Sequence, residues 1–206
     1  MLTFSLTRPV AGHTPSATEE QQLNDRARQA GTHCEYCGYE SPRNTALWRD
    51  NNPLHDSDDN LTVADPFCRA WRELDTINAD RGVMAILPGL SAEDCNHLQR
   101  TLHLALHCGD GEKQQDAKAL LNWLTEHQTI AQMQIGSAHP QACAQALQRT
   151  PEEAVPAVLD AWCNLRLILN LHRLPAPSPD SLARLEATPA SEKRFRITAT
   201  CARLSA

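Results

Sequence analysis

Lysine is nearly missing from this 206-residue chain: Lys113, Lys118 and Lys193 are the only three, and the formal net charge is −6. Without a clustered basic run, the overall field opposes long-range attraction to nucleic acid or to an anionic membrane. Glycine is also scarce, at 8 residues, and neither a phosphate-cradling glycine loop nor a Gly-x-Ser-x-Gly motif occurs. No apolar run approaches the roughly 18 residues needed to span a bilayer. The opening "MLTFSLTRPVAGH" lacks the charged start, sustained apolar stretch and cleavage site of an export signal, so the expected location is the cytosol. What remains is an ordinary globular composition, 41% hydrophobic and 21% charged, long enough to bury one sizeable core.

Cysteine is what the chain does have. Eight would suggest a disulfide framework in an exported protein, but without an export signal reduced thiols are the expectation. Cys95, Cys108, Cys143, Cys163 and Cys201 stand singly and are expected to be small buried hydrophobes. Cys34, Cys37 and Cys68 form a pattern instead. Cys34-x-x-Cys37 followed by Gly38 is half of a zinc knuckle, because a tight turn aims both sulfurs at one point.

The second half reads Asp65-Pro-Phe-Cys68, with the spacing of a Cys-x-x-Cys pair and a carboxylate in the first place. Oxygen is a permitted zinc donor, and three thiolates with one carboxylate carry the same summed charge as four thiolates. Asp65 is therefore the expected fourth ligand of a structural zinc ion, with His55 in the Asn/Asp-rich loop as the alternative. A competing role for Asp65 is to cap a helix that begins at Pro66.

The remaining elements follow from periodicity and caps. A short strand is predicted in "MLTFSLTRPV", and a helix in "SATEEQQLNDRARQAG", where Ser16 and Glu19 form a capping box and Gly31 ends the helix. "NTALWRD" and "RGVMAILPGL" read as strands, with a helix from Pro66 between them. A helix capped by Ser91 carries Cys95, Leu98, Leu102 and Leu106 on one stripe, with His97, His103 and His107 expected to face solvent or cap. Further helices are predicted around Lys113–Glu126, Pro140–Arg149 and Pro151–Leu171. The last has Val155, Leu159, Trp162, Leu165 and Leu169 on one side and Pro156 as a kink or delayed start. A proline-rich break follows Arg173.

From His33 to Ala70 the order of motifs resembles an HNH-type zinc module: Cys-x-x-Cys-Gly, a variable hairpin, Asp59-Asn60-Leu61, then the second ligand pair. An active HNH nuclease places one histidine in the hairpin and another after the second pair. This chain has "LWRDNNPL" and Arg69 there, and neither asparagine nor arginine serves as a general base. The zinc module, a strand, Leu87-Pro88 and a helix opening at Ser91 are together similar to the DotN (IcmJ) family of type IVB secretion and related conjugation systems. Agreement runs to about Leu174.

The resemblance implies an α+β fold: an HNH-like, zinc-stabilised ββα module with additional short strands, then a mostly helical C-terminal half. The expected organisation is a single domain over 1–206. It holds the zinc module at 31–75, the helical part at 91–173 and an unaligned tail at 174–206. The resemblance further implies a non-enzymatic adaptor that binds the C-terminal extension of a coupling ATPase and other coupling-complex subunits. Such a protein is cytoplasmic and peripheral to the inner membrane through its partner. The family pattern has cysteine where Asp65 stands, so its ligand set carries over at Cys34, Cys37 and Cys68 only. The alternatives are a divergent HNH endonuclease that uses His55, and a zinc-stabilised nucleic-acid-binding module.

Overall fold

The computed structural model describes residues 2–7 and 16–177. Helix α1 (Ala17–Ala30) starts where the capping box predicts. Ser16 Oγ accepts from the Glu19 N–H, and the Glu19 carboxylate accepts from the Ser16 N–H at 2.7 Å. It lies against a hairpin of β1 (Thr45–Trp48) and β2 (Leu61–Ala64), paired antiparallel from Thr45↔Ala64 to Trp48↔Leu61. Ala27 packs on Ala46, Leu61 and Val63 in a small core of its own, and Asn24 Oδ1 accepts from the Ala46 N–H at 2.7 Å. Polar side chains thus close the hairpin edge that α1 covers.

The loop joining the two strands is held by Asn60, whose amide donates to Asp50 at 2.8 Å and to the His55 carbonyl at 2.9 Å. Helix α2 (Pro66–Arg72) follows β2 directly, with Asp65 as its N-cap and proline at its start. Residues 2–7 run alongside it without forming a regular strand, and the rest of the strand expected in "MLTFSLTRPV" lies outside the described residues. Ser5 N–H donates to the Trp71 carbonyl at 3.0 Å, and Leu74 N–H donates back to Ser5 at 3.1 Å.

Strand β3 (Gly82–Ile86) does not pair with the hairpin. Its partner is β4 (Leu165–Leu169), antiparallel from Gly82↔Leu169 to Ile86↔Leu165. Between them run α3 (Ala92–Cys108), α4 (Gly111–Glu126), α5 (Gln128–Ile135), α6 (Pro140–Arg149) and α7 (Val155–Ala161).

The long helix expected over 151–171 is corrected. A 3-10 turn at Glu152–Ala154 leads into α7, which ends at Trp162, and the chain then extends as β4. Leu165 and Leu169 fit a helical stripe, Leu165, Leu167 and Leu169 fit a strand alternation, and pairing with β3 selects the strand, all five residues of which are buried. Pro156 falls in the first turn of α7, the delayed start its position suggested.

Helix α3 is the shared wall. Its apolar stripe is buried at Cys95, Leu98 and Leu102, while Asn96, Gln99, Arg100 and His103 are buried beside it. Gln99 acts as an extra strand segment along β4, donating to the Leu167 carbonyl at 2.9 Å and accepting from the Leu169 N–H at 2.7 Å. One core joins Phe4, Cys34, Phe67, Cys68 and Trp71 to Met84, Leu102, Leu124, Leu167 and Leu171. Among the described residues no helix is long and apolar enough to cross a membrane. Of the tail expected at 174–206, residues 178–206 lie outside the described residues.

A candidate metal centre of three cysteines

The first two sulfurs are set by a knuckle. Cys34 N–H donates to the Tyr39 carbonyl at 2.9 Å, and Gly38 N–H returns to the Cys34 carbonyl at 2.8 Å. Gly38 holds φ at +69°, a left-handed conformation that costs glycine little and folds Cys37 back over Cys34. The third sulfur, Cys68, rides on the first turn of α2, where the Asp65 cap and Pro66 fix the helix start. The three Sγ atoms lie within 4.8 Å of one another, and this cluster could hold a metal ion.

The surroundings suit thiolates. Cys34 Sγ accepts from the backbone N–H groups of Asp65 and Cys37, and the Asn96 amide donates to Cys68 Sγ at 3.3 Å. Arg100 Nη2 lies 3.6 Å from Cys37 Sγ. Hydrogen bonds from the Cys37 and Cys68 thiols, then these backbone donors, hold Cys34 far below the usual thiol range. The same bond to Cys34 pushes Cys37 up to about 11, and Cys68 rises for the same reason. Negative charge on one sulfur thus opposes ionisation of the other two, because the three lie close together in a largely buried site. A divalent cation held by Cys34, Cys37 and Cys68 would favour their thiolate forms.

Asp65 is not brought into this cluster. Its carboxylate accepts from the Phe67 N–H at 2.9 Å, the capping role, and from Arg100 Nη2 at 2.9 Å and Nε at 3.4 Å. Asp65 is thus the α2 cap and the buried partner of Arg100, with the two side chains only 4% and 8% exposed. His55 does not join the sulfurs either; it is exposed, with Nδ1 2.9 Å from Asp50 Oδ2.

Arg100 organises this flank. Its guanidinium lies 4.0 Å over the Tyr39 ring, and Nη1 meets His97 Nδ1 at 2.8 Å. His97 Nε2 lies 3.2 Å from the Cys37 carbonyl. Burial, then the Arg100 charge, lowers the His97 pKa, so the neutral ring accepts at Nδ1 and donates from Nε2. Asn96 and Arg100 escaped the sequence reading, and His97, expected to face solvent or cap, is half-buried on this flank. Their signal is polar residues at positions 96, 97 and 100 of a helix whose apolar stripe lies alongside.

Asn51, in the loop after β1, and Arg69, directly after Cys68, are locked into structure. Asn51 takes φ +56°, and its buried amide donates to Ser5 Oγ at 3.0 Å, to the Leu6 carbonyl at 2.9 Å and to the Arg72 carbonyl. It pins the N-terminal segment to α2. Arg69 pairs with Glu73 at 2.8 Å and donates to Thr45 Oγ1 at 3.0 Å.

The remaining cysteines divide. Cys95 and Cys143 are buried as expected, Cys108 and Cys163 are exposed, and Cys201 lies outside the described residues. His103 also departs from expectation, being buried instead of facing solvent. Compared with known proteins, the chain matches no family model and no curated protein.

Proposed function

We propose that this chain is a non-enzymatic adaptor of a type IVB secretion or conjugation coupling complex, with zinc as a structural clasp in its N-terminal half. Cys34, Cys37 and Cys68 supply three thiolate ligands, a soft donor set that zinc accepts readily. The observation that carries the reading is the pairing of this sulfur cluster with Asn51 and Arg69. A hairpin and helix frame the sulfurs, and where the resembled nucleases need histidine, Asn51 within the stretch "LWRDNNPL" and Arg69 after Cys68 perform structural tasks. The partner is the C-terminal extension of a coupling ATPase, a tail that orders as it binds.

The test is calorimetry of the full chain with a peptide of the cognate ATPase's C-terminal extension, alongside zinc analysis. A saturable complex and about one tightly held zinc lost in Cys34→Ser are expected. Absence of binding to the peptide overturns the adaptor reading. One observation favours a hydrolytic alternative: His55 is exposed and oriented by Asp50. Metal-dependent nicking of DNA that disappears in His55→Ala would establish it.

A further inference from the structure

One turn apart on α3, outside the cysteine centre, His103 and His107 meet edge to face, with ring centroids 4.7 Å apart and planes at 82°. The two rings have different surroundings. His103 is 6% exposed, and its Nε2 is buried without a hydrogen-bond partner among the described residues. His107 is exposed, and none of the described residues hydrogen-bonds to its ring.

A buried imidazole nitrogen with nothing to bond to is costly, and native structures leave few. Two histidines four residues apart on one helical face are also the spacing with which helices present a pair of imidazoles to zinc. We infer that His103 and His107 form a separate binding site on this chain for a divalent metal ion of the zinc class. His103 supplies the inner nitrogen, His107 the outer one, and solvent reaches the ion from the His107 side.

The groups facing His103 allow this. Burial, and then the charges of His107 on the same helix, Arg43 ahead of β1 and His172 after β4, lower its pKa to about 4. Its ring is therefore neutral at ordinary pH, the form that binds metals. Arg43, the one fixed charge among them, has its Nη1 and Nη2 donors on the carbonyls of Pro175 and Ala176. Neither nitrogen of the pair is tied into the cysteine centre, so the site does not depend on the zinc clasp or on the adaptor reading.

The experiment compares the wild type with His107→Gln, an exposed substitution that leaves the buried ring in place. Both full chains are dialysed against micromolar zinc, and bound metal is counted. Histidine ring nitrogens are followed by long-range proton–nitrogen correlation as zinc is added. Wild type is expected to hold one more equivalent than His107→Gln, with the His103 Nε2 resonance shifting only in wild type. The difference between the two chains is the readout, so it stands whether or not the cysteine cluster takes up zinc. Equal metal content in both proteins, or a His103 Nε2 signal unmoved by zinc, overturns the inference.

Discussion

At the scale of single residues, Arg100 and Asp65 form the most consequential contact, because both charges sit in the interior. Taking one partner from a buried pair leaves the other charge unmatched, at a cost of about 3–5 kcal/mol. Asp65→Asn keeps a side-chain oxygen for the α2 cap and removes only the charge. It is expected to lower unfolding stability by about 3 kcal/mol while zinc content stays at the wild-type value. Urea denaturation and metal analysis on the same preparation check this, and loss of the metal would make Asp65 a ligand after all. Cysteine chemistry offers a second residue-scale outcome. Burial pushes the Cys95 thiol up to about 12 and Cys143 up to about 11, whereas Cys108 and Cys163 are exposed. Because the thiolate is the nucleophile, brief alkylation of the native protein near pH 8 should modify Cys108 and Cys163 and spare the buried pair. Peptide mapping reads the four sites separately, and early modification of Cys95 would contradict its burial.

Among the elements, the β3–β4 pair shows most clearly what could be read in advance. Gly82 starts β3 where a Cβ would stand 2.9 Å from the Ile168 carbonyl oxygen and crowd Leu167 and Ile77. Gly82→Ala therefore has to push the two strands apart and is expected to cost about 1–3 kcal/mol, measured as a lowered urea midpoint with an unchanged slope. The strand itself was legible, as an apolar run between Gly82 and Pro88, and so were α1 from its capping box and the knuckle from Cys34, Cys37 and Gly38. The partner of β3 was not. Leu165-Arg166-Leu167-Ile168-Leu169 satisfies both the helical and the strand period, and only the demand of β3 for a hydrogen-bonded neighbour decides between them. Helix α5 was hidden for a different reason: it follows α4 after a single residue, His127, with no side-chain cap to mark its start. At the metal centre the sulfurs could be read from their spacing. The fate of Asp65 could not, since it depends on Arg100, 35 residues away on another helix.

For the molecule as a whole, the cysteine centre and the helical half are coupled through α3. Asn96 accepts from the Trp71 indole at 3.1 Å and donates to Cys68 at 3.3 Å, Arg100 holds Asp65, and His97 meets the Cys37 carbonyl. Phe4 stacks on Trp71 at 4.3 Å and meets Trp162 edge-on at 6.4 Å, so the N-terminal segment bridges α2 and the end of α7. Because the sulfur-bearing residues Cys34 and Cys68 belong to the same core as β3 and β4, a metal bound there would stabilise more than its own loop. A ligand that binds only the native state adds about 4 kcal/mol when present at about a thousand times its dissociation constant. Chelation is therefore expected to shift the entire unfolding curve to lower denaturant as one transition. In a Trp123→Phe/Trp162→Phe background, fluorescence of the remaining Trp48 and Trp71 reports the cysteine half, and far-ultraviolet circular dichroism reports mainly the helices from α3 to α7. With α3 shared, the two signals should move together both with and without metal. If fluorescence changed at a lower denaturant concentration than ellipticity after chelation, the cysteine half would be a separately melting unit, and the coupling through Asn96 and Arg100 would be too weak to join the two.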